Sequence, residues 1–318
     1  MNNTTIDRRG FLRCMQWVGG GVVWSIAAGV PASRLLEAGS HSRERAAGFT
    51  FVQISDSHIG FKRPANPDVA GTLQAAVDQI NVLDRPPDLI IHTGDLSHLA
   101  KAGEFDAMEQ ILRGLKQKQI FYVPGEHDVT ADAGREYLAR FGKGTMGTGW
   151  YSFDHKGVHF VALNNVAQLE GLGQIGREQL DWLKSDLSAV ADSTPVIVFA
   201  HIPLWAVYPE WGWATEDGEE ALGLLKRFGS VTVLNGHIHQ VMQKIEGHVA
   251  FHTAMSTAFP QPAPGSAASA GPMVVPPGKL RSTLGICTVN FVPGRERLAL
   301  VDTPLMAGGE VESCSDRR

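Results

Sequence analysis

Residues 122–129 have the sequence YVPGEHDV, a short apolar segment followed by a glycine and three adjacent polar residues. The first two residues suit a buried strand, and Gly125 allows the chain to turn sharply as it leaves that strand. Glu126, His127 and Asp128 are residue types that bind metal ions or transfer protons. An isolated stretch of this kind also fits a surface turn, so its meaning depends on the residues at the ends of the other strands.

The composition of the 318-residue chain is that of a globular protein with one large domain or two ordinary ones. Its 43% hydrophobic and 19% charged residues are unlike those of a disordered or fibrous protein. The formal net charge of −5 argues against a nucleic-acid surface, which needs clustered lysine and arginine.

Residues 1–32 have the features of an export signal. Arg8 and Arg9 form a twin-arginine pattern, an uncharged apolar run occupies residues 15–30, and Ala32 ends a small-residue cleavage site. The apolar run is shorter than the roughly 20 residues that a membrane-spanning helix needs. We therefore expect transport by the twin-arginine translocation machinery, cleavage, and a periplasmic or secreted product with no stable membrane span. An uncleaved membrane anchor is the alternative.

Short apolar runs, many of them rich in β-branched and aromatic residues, recur along the rest of the chain and predict strands. They lie at residues 49–54, 89–91, 120–123, 158–163, 196–199, 231–234, 249–252, 286–289 and 298–301. Stretches with helical spacing of apolar residues lie between many of them, at 69–83, 104–116, 135–141, 177–187 and 217–228. This alternation predicts an α/β domain over residues 49–303, with a largely central sheet and helices outside. A linker (33–48) precedes the domain, an irregular Pro/Ala/Gly-rich loop interrupts it at about 260–278, and a polar tail (304–318) ends the chain.

Histidines and carboxylates come directly after five of the predicted strands. These residues are Asp56, His58, Asp95, Glu126, His127, His201, His237 and His239. Because the carboxyl ends of the strands share one edge in an open α/β sheet, we expect the side chains to meet there. One residue separates Asp56 from His58, and His237 from His239. In extended backbone this spacing points both side chains of a pair the same way.

Imidazole and carboxylate groups in this number suit a pair of metal ions. Zn, Mn and Fe accept such ligands, and eight groups exceed what one ion uses. Two ions roughly 3.5–4 Å apart that share a bridging carboxylate, as in other two-metal hydrolases, would use them. The glycines at positions 94, 125 and 236 lie where a side chain would collide with such a site.

The ordered set of blocks resembles the calcineurin-like metallophosphoesterase superfamily. The blocks are Asp56-x-His58, Gly94-Asp95, Gly125-Glu126-His127-Asp128, His201 and Gly236-His237-x-His239, and together they span roughly residues 49–255. The resemblance implies a four-layer α/β/β/α sandwich with central mixed β-sheets. In outline, with an HTAMST segment at residues 252–257, the chain is similar to the cyclic-nucleotide-type phosphodiesterase branch.

The resemblance also implies roles for the matching residues. The metal ligands would be Asp56, His58 and His239 for one ion and His201, His237 and Glu126 for the other, with Asp95 bridging them. The cofactors would be two divalent or mixed-valence ions of Mn, Fe or Zn, and a hydroxide bridging them would attack the phosphate ester. His127 would assist the leaving group, and Asp128 would orient His127.

Glu126 departs from the family pattern, because asparagine usually precedes the histidine of this block. The chain has GEHD in place of GNHD or GNHE. A glutamate ligand adds a negative charge and a methylene, so this ion site should favour a harder or more highly charged ion. The alternative is that Glu126 points elsewhere and water fills the position.

A further group of residues contains candidates for substrate contact: His98, Trp205, Tyr208, Trp211 and Trp213. A solvated loop explains the histidine equally well, and a hydrophobic patch that stabilises itself explains the aromatic residues equally well.

The sequence thus predicts an exported, metal-dependent phosphoric ester hydrolase that acts on a small-molecule or lipid phosphate ester, with diesters favoured over monoesters. The alternative is a non-catalytic periplasmic module on the same scaffold that binds metal or a phosphate ester. The presence of His127, which a binding module does not need, favours the enzyme.

Overall fold

The structure, a computed structural model, describes residues 22–27, 30–35, 48–167, 171–294 and 298–305. Strands β1 (Val22–Ala27) and β2 (Val30–Leu35) pair antiparallel within a unit that ends at Arg45. The remaining elements belong to a second unit, Ala46–Arg318. Parts of the expected export signal and linker lie outside the described residues, namely 1–21, 28–29 and 36–47. The tail from residue 306 lies outside them as well. Export and cleavage therefore stay predictions.

The strands of the second unit form two mixed sheets. The six-stranded sheet has the order β10 (Met242–Glu246), β11 (Val249–Thr253), β9 (Val231–Asn235), β8 (Val196–Phe199), β7 (Val158–Ala162) and β6 (Tyr151–His155). The five-stranded sheet has the order β13 (Ala299–Pro304), β12 (Gly285–Phe291), β3 (Phe49–Ile54), β4 (Leu89–His92) and β5 (Ile120–Tyr122). Four adjacent strands of the six-stranded sheet run parallel to one another: β7, β8, β9 and β11. Three adjacent strands of the five-stranded sheet do the same: β3, β4 and β5. The expected α/β class with mixed sheets is confirmed, with two central sheets rather than one.

The helices complete a four-layer sandwich. They are α1 (Val69–Asn81), α2 (Ala102–Leu112), α3 (Glu126–Val129), α4 (Arg135–Phe141), α5 (Arg177–Ser188), α6 (Gly218–Leu225) and α7 (Leu280–Thr283), with a 3-10 turn at Pro209–Trp211. Helices α1 and α2 share a buried apolar cluster with the five-stranded sheet, and α5 and α6 share one with the six-stranded sheet. Within the described part of the chain, no helix is long and apolar enough to cross a membrane.

A third apolar cluster lies between the two sheets. Phe51 and Leu89 of the five-stranded sheet meet Phe160 and Phe199 of the six-stranded sheet, and all four are fully buried. Because the inner strands are covered on both faces, they are continuously apolar, which is why their sequence signal is strong.

Strands β6 and β10 were not predicted from the sequence, and they are the two edges of the six-stranded sheet. Much of β10 faces solvent, with Gln243, Lys244 and Glu246 exposed. An edge strand made of polar and charged residues, as β10 is, contains no apolar run to detect, whereas the edges of the five-stranded sheet, β5 and β13, contain apolar runs and were predicted. The loop predicted at about 260–278 contains no helix or strand, in agreement with its composition.

Candidate metal centre

The seven predicted metal ligands converge at the carboxyl ends of strands from both sheets. The five-stranded sheet contributes Asp56, His58, Asp95 and Glu126, and the six-stranded sheet contributes His201, His237 and His239. The expected convergence is therefore observed, but its reason differs from the predicted one. The ligands meet because two sheets present their carboxyl ends to the same side, not because one sheet edge gathers them all.

The backbone at these ligands is left-handed rather than extended. Five of the eight described non-glycine residues with positive φ are predicted ligands: Asp56 (54°), His58 (42°), Asp95 (54°), His237 (70°) and His239 (54°). The expectation that extended backbone aims each pair of side chains is wrong. Such conformations cost about 1–3 kcal/mol each and concentrate at functional sites, where the surrounding structure holds them in place.

One group of potential ligands, the Asp56 half-site, consists of Asp56, His58 and His239 and is almost fully buried. His239 Nε2 lies 3.2 Å from Asp56 Oδ1 and 3.2 Å from His58 Nε2. Because His239 Nδ1 donates a hydrogen bond to the Phe259 carbonyl at 2.5 Å, its Nε2 is the atom that faces the site.

The protonation states in the Asp56 half-site suit metal ligands. Burial alone would raise the pKa of Asp56. The charges of His239 and His201, together with hydrogen bonds, outweigh burial and lower this pKa to about 2. Burial, together with the charges of His127 and His239, holds the pKa of His58 well below its usual value. An ionised carboxylate and a neutral imidazole are the forms that bind a metal ion.

The second group, the Glu126 half-site, consists of Glu126, His201 and His237. Glu126 Oε2 lies 2.8 Å from His201 Nε2, and Glu126 Oε1 lies 2.9 Å from His237 Nδ1. Despite these distances, Glu126 Oε2 and the two imidazole nitrogens have no hydrogen-bond partner among the described residues. The side chain of Glu126 therefore points into the site, and its donor atoms converge with those of the histidines as ligands do around an ion.

Asp95 lies between the two half-sites. Its Oδ2 is 3.3 Å from His58 Nε2 and 3.5 Å from His201 Nε2, and its Oδ1 accepts a hydrogen bond from the His127 amide at 2.9 Å. A Cβ at Gly125 would overlap the Asp95 side chain, which is the collision that the sequence predicted for this glycine. Asp95 is thus placed as the carboxylate that two ions would share.

The buried carboxylates of the centre need positive charge nearby. Burial lowers the pKa of His201, but the charges of Asp95 and Glu126 outweigh it and hold this pKa well above its usual value. The charges of the same two carboxylates raise the pKa of His127, against the effect of burial. The negative charge of these carboxylates thus attracts protons, and bound cations would balance the same charge, so the residues present fit metal ions.

His127 stands beside the ligands with one ring nitrogen free. Its Nδ1 donates a hydrogen bond to the His98 carbonyl at 2.7 Å, which leaves Nε2 for substrate. The His98 ring stacks on the His127 ring with centroids 4.8 Å apart. The predicted candidate His98 therefore lies next to the centre and supports His127. The His98 carbonyl positions the His127 ring, and the sequence could not predict this role because every residue has a backbone carbonyl.

Asp128 does not orient the His127 ring, contrary to the prediction. Its carboxylate accepts hydrogen bonds from the amides of Leu96, Ser97 and Gly125 at 2.8–3.1 Å, and from the Ser97 hydroxyl. Burial and the charge of Asp95 raise the pKa of Asp128 to about 7, although these hydrogen bonds oppose the shift. Asp128 thus fastens the loop after β4 to the loop after β5, and it makes no hydrogen bond to the His127 ring among the described residues.

The beginning of the Pro/Ala/Gly-rich loop also contacts the centre. The Phe259 ring lies 4.8 Å from the His58 ring and 4.7 Å from the His239 ring, measured between centroids. Gln261 Nε2 donates a hydrogen bond to the His237 carbonyl at 2.9 Å. Sequence reasoning missed both residues, and their position just after the HTAMST segment was the one signal available.

The aromatic residues after His201 pack on one another. The ring of Trp211 lies 5.1 Å from those of Tyr208 and Trp213, and Trp205 packs on Phe251 with centroids 4.8 Å apart. Trp213 is buried. These contacts are those of a hydrophobic patch that stabilises itself, and a role for the four residues in substrate contact stays a prediction.

The chain is similar to known proteins in both sequence and structure. The family model for calcineurin-like phosphoesterases matches residues 49–241. A probable cyclic nucleotide phosphodiesterase of Synechococcus is 29% identical over 67% of this chain and 83% of its own length. A probable glycerophosphodiester phosphodiesterase of Arcobacter nitrofigilis is 24% identical over 64% of this chain and 77% of its own length. A dimetal phosphatase from Danio rerio shares the fold, with a TM-score of 0.58 at 16% identity, covering 81% of this chain and 96% of that structure.

Proposed function

The chain belongs to the calcineurin-like phosphoesterase family, and on that premise we propose that it is an exported enzyme that hydrolyses phosphodiesters in preference to phosphomonoesters at a two-metal centre. The observation that carries the proposal is the position of Asp95 between two ligand groups, with the free Nε2 of His127 beside them.

The ligand residues would hold one ion at the Asp56 half-site and one at the Glu126 half-site, with Asp95 contacting both. Bound ions would lower the pKa of water for attack on phosphorus and neutralise charge on the phosphoryl oxygens. His127 would give the proton on Nε2 to the oxygen of the leaving group, since Nδ1 is held by the His98 carbonyl. The hydrogen bonds of Asp128 fix the segment that carries His127 against the loop that carries Asp95.

The preference for diesters rests on the relatives. Two of them are named as probable phosphodiesterases, one for cyclic nucleotides and one for glycerophosphodiesters. Both names describe a phosphate esterified on two sides, which is the substrate class that we propose for this chain.

Export rests on the sequence alone. Arg8 and Arg9 precede the uncharged apolar run at residues 15–30 and the small-residue site that ends at Ala32. Replacement of both arginines by lysine should leave the chain in the cytoplasm of a bacterial host. Fractionation and subsequent detection of the chain measure this, and unchanged delivery of the double variant to the periplasm would contradict the proposal.

Hydrolysis assays on metal-reconstituted protein test the catalytic proposal. We expect manganese-loaded protein to release nitrophenol from bis(p-nitrophenyl) phosphate faster than from p-nitrophenyl phosphate at equal concentration. The reverse order would overturn the diester preference while leaving the enzyme class intact. Two bound ions per chain without turnover of either ester would instead favour the non-catalytic binding module.

A further inference from the structure

A third group of potential metal ligands lies apart from the seven ligands of the candidate centre. It consists of His252 on β11, Cys287 on β12 and Asp302 on β13. Strand β11 belongs to the six-stranded sheet, whereas β12 and β13 belong to the five-stranded sheet. All three residues lie beyond the end of the segment that matches the family model, at residue 241. The group therefore joins the two sheets and belongs to a part of the chain that the family model does not describe.

The distances within this group are close to those around a tetrahedral ion. His252 Nε2 lies 3.0 Å from both carboxylate oxygens of Asp302 and 3.9 Å from Cys287 Sγ. The three ligand atoms lie within 4.8 Å of one another. Zinc bonds of about 2.0–2.3 Å to nitrogen, oxygen and sulfur place neighbouring donors roughly 3.4–3.6 Å apart. The observed distances lie on either side of this value, so small side-chain shifts bring all three donors onto one ion.

The charges of the group also match one divalent cation. Burial and the charge of Asp302 raise the pKa of the Cys287 thiol well above its usual value, so it keeps its proton when no cation is present. A bound zinc ion would displace that proton to solvent. One thiolate, one carboxylate and one neutral imidazole then give a neutral site, which suits the buried side chains of His252 and Cys287.

An ion can reach this group from solvent. The side chain of Asp302 is 18% exposed, whereas that of His252 is 2% exposed. Three protein ligands are one fewer than a closed zinc site has, so a water molecule from the exposed side would complete the tetrahedron.

We propose that His252, Cys287 and Asp302 bind a zinc ion that fastens the β11 side of one sheet to β12 and β13 of the other. The thiolate distinguishes this site from the candidate centre, whose seven ligands include no cysteine. The proposal does not depend on phosphoesterase activity.

Cobalt titration of the full chain tests the proposal. Metal is removed by chelation under reducing conditions, cobalt chloride is added, and the near-ultraviolet sulfur-to-cobalt charge-transfer absorption is recorded. We expect this absorption to saturate with one thiolate-bound cobalt per chain and to disappear on addition of zinc. Its absence from the wild-type chain overturns the proposal, whether or not the chain hydrolyses phosphate esters.

Matched cysteine variants assign the absorption. Cys287→Ser should abolish it, while Cys14→Ser and Cys314→Ser should retain it, and Cys287→Ser should keep its hydrolytic activity. Absorption that persists in Cys287→Ser overturns the assignment. Should Cys287→Ser fail to fold, as judged by circular dichroism, Asp302→Asn keeps the thiol and should weaken cobalt binding by about tenfold or more. Unchanged cobalt affinity in Asp302→Asn would likewise overturn the proposal.

Discussion

The Asp56 half-site and the Glu126 half-site use the same kinds of ligand but are built differently. In the first, all three ligands are almost fully buried and all three have left-handed backbone. In the second, the side chains of Glu126 and His237 are 20% and 12% exposed, and Glu126 begins a short helix. The Asp56 half-site is therefore closed, whereas the Glu126 half-site is partly open to solvent at Glu126 and His237. The departure from the family pattern lies in the open half, where a change of side chain disturbs the packing least.

Asp95→Asn should have the largest effect, because Asp95 belongs to both half-sites. Loss of its charge removes the group that two ions would share, so we expect both metal occupancy and turnover to fall. A loss of about 5 kcal/mol of transition-state stabilisation corresponds to roughly 10⁴-fold in rate. Metal content by mass spectrometry and the initial rate of diester hydrolysis measure the two effects. Two tightly bound ions in the variant would show that the half-sites are independent of Asp95.

Glu126→Ala should separate the half-sites. We expect the ion of the Glu126 half-site to be lost while the ion of the Asp56 half-site remains. Turnover should fall about 10³-fold, because one ion no longer activates water or neutralises the phosphoryl charge. Metal analysis should therefore give one ion fewer per chain than in the wild type. Glu126→Asn, which restores the amide usual in the family, is the matched control and should bind the second ion more strongly than Glu126→Ala. A metal content in Glu126→Ala equal to that of the wild type would show that Glu126 is not a ligand.

His127→Ala should lower turnover without loss of either ion. Its imidazole is within the centre but serves neither half-site in the proposed mechanism, so we expect about a 10²-fold lower rate with metal content unchanged. His248→Ala, at the turn between β10 and β11, is the control and should behave as wild type. A rate of diester hydrolysis in His127→Ala equal to that of the wild type would rule out proton donation by this residue.

His98→Ala should have the smallest effect. The variant keeps the backbone carbonyl that accepts from His127 Nδ1 and loses only the stacked ring, so we expect turnover to fall by less than about tenfold. His98→Phe keeps a ring in the same place and should recover the rate if stacking is the contribution. Failure of phenylalanine to recover it would indicate that the imidazole of His98 itself contributes, through substrate or through its Nδ1, which lies 3.5 Å from His58 Nδ1.

The sequence predicted the inner strands and both edges of the five-stranded sheet, β5 and β13, but it missed both edges of the six-stranded sheet. Strands β3, β8 and β9 are covered on both faces, so burial makes them largely apolar and visible in sequence. Strand β10 lies at an edge with four of its five residues exposed, and the sequence there contains no apolar run to detect. A strand buried on both faces shows in the sequence as a run of apolar residues. An exposed edge strand shows no such run, because its hydrogen bonds to the neighbouring strand involve only backbone atoms.

The sequence by itself determined which residues are the candidate ligands, since five strands each end in the same few residue types. Only the tertiary structure decided which hydrogen bonds hold the residues around them. It gives the carboxylate of Asp128 to the amides of Leu96 and Ser97, and it gives His127 the carbonyl of His98 as its partner. Each partner lies far away in the chain and is a backbone group that every residue possesses. No residue type at either position records such a hydrogen bond, so only the folded geometry shows it.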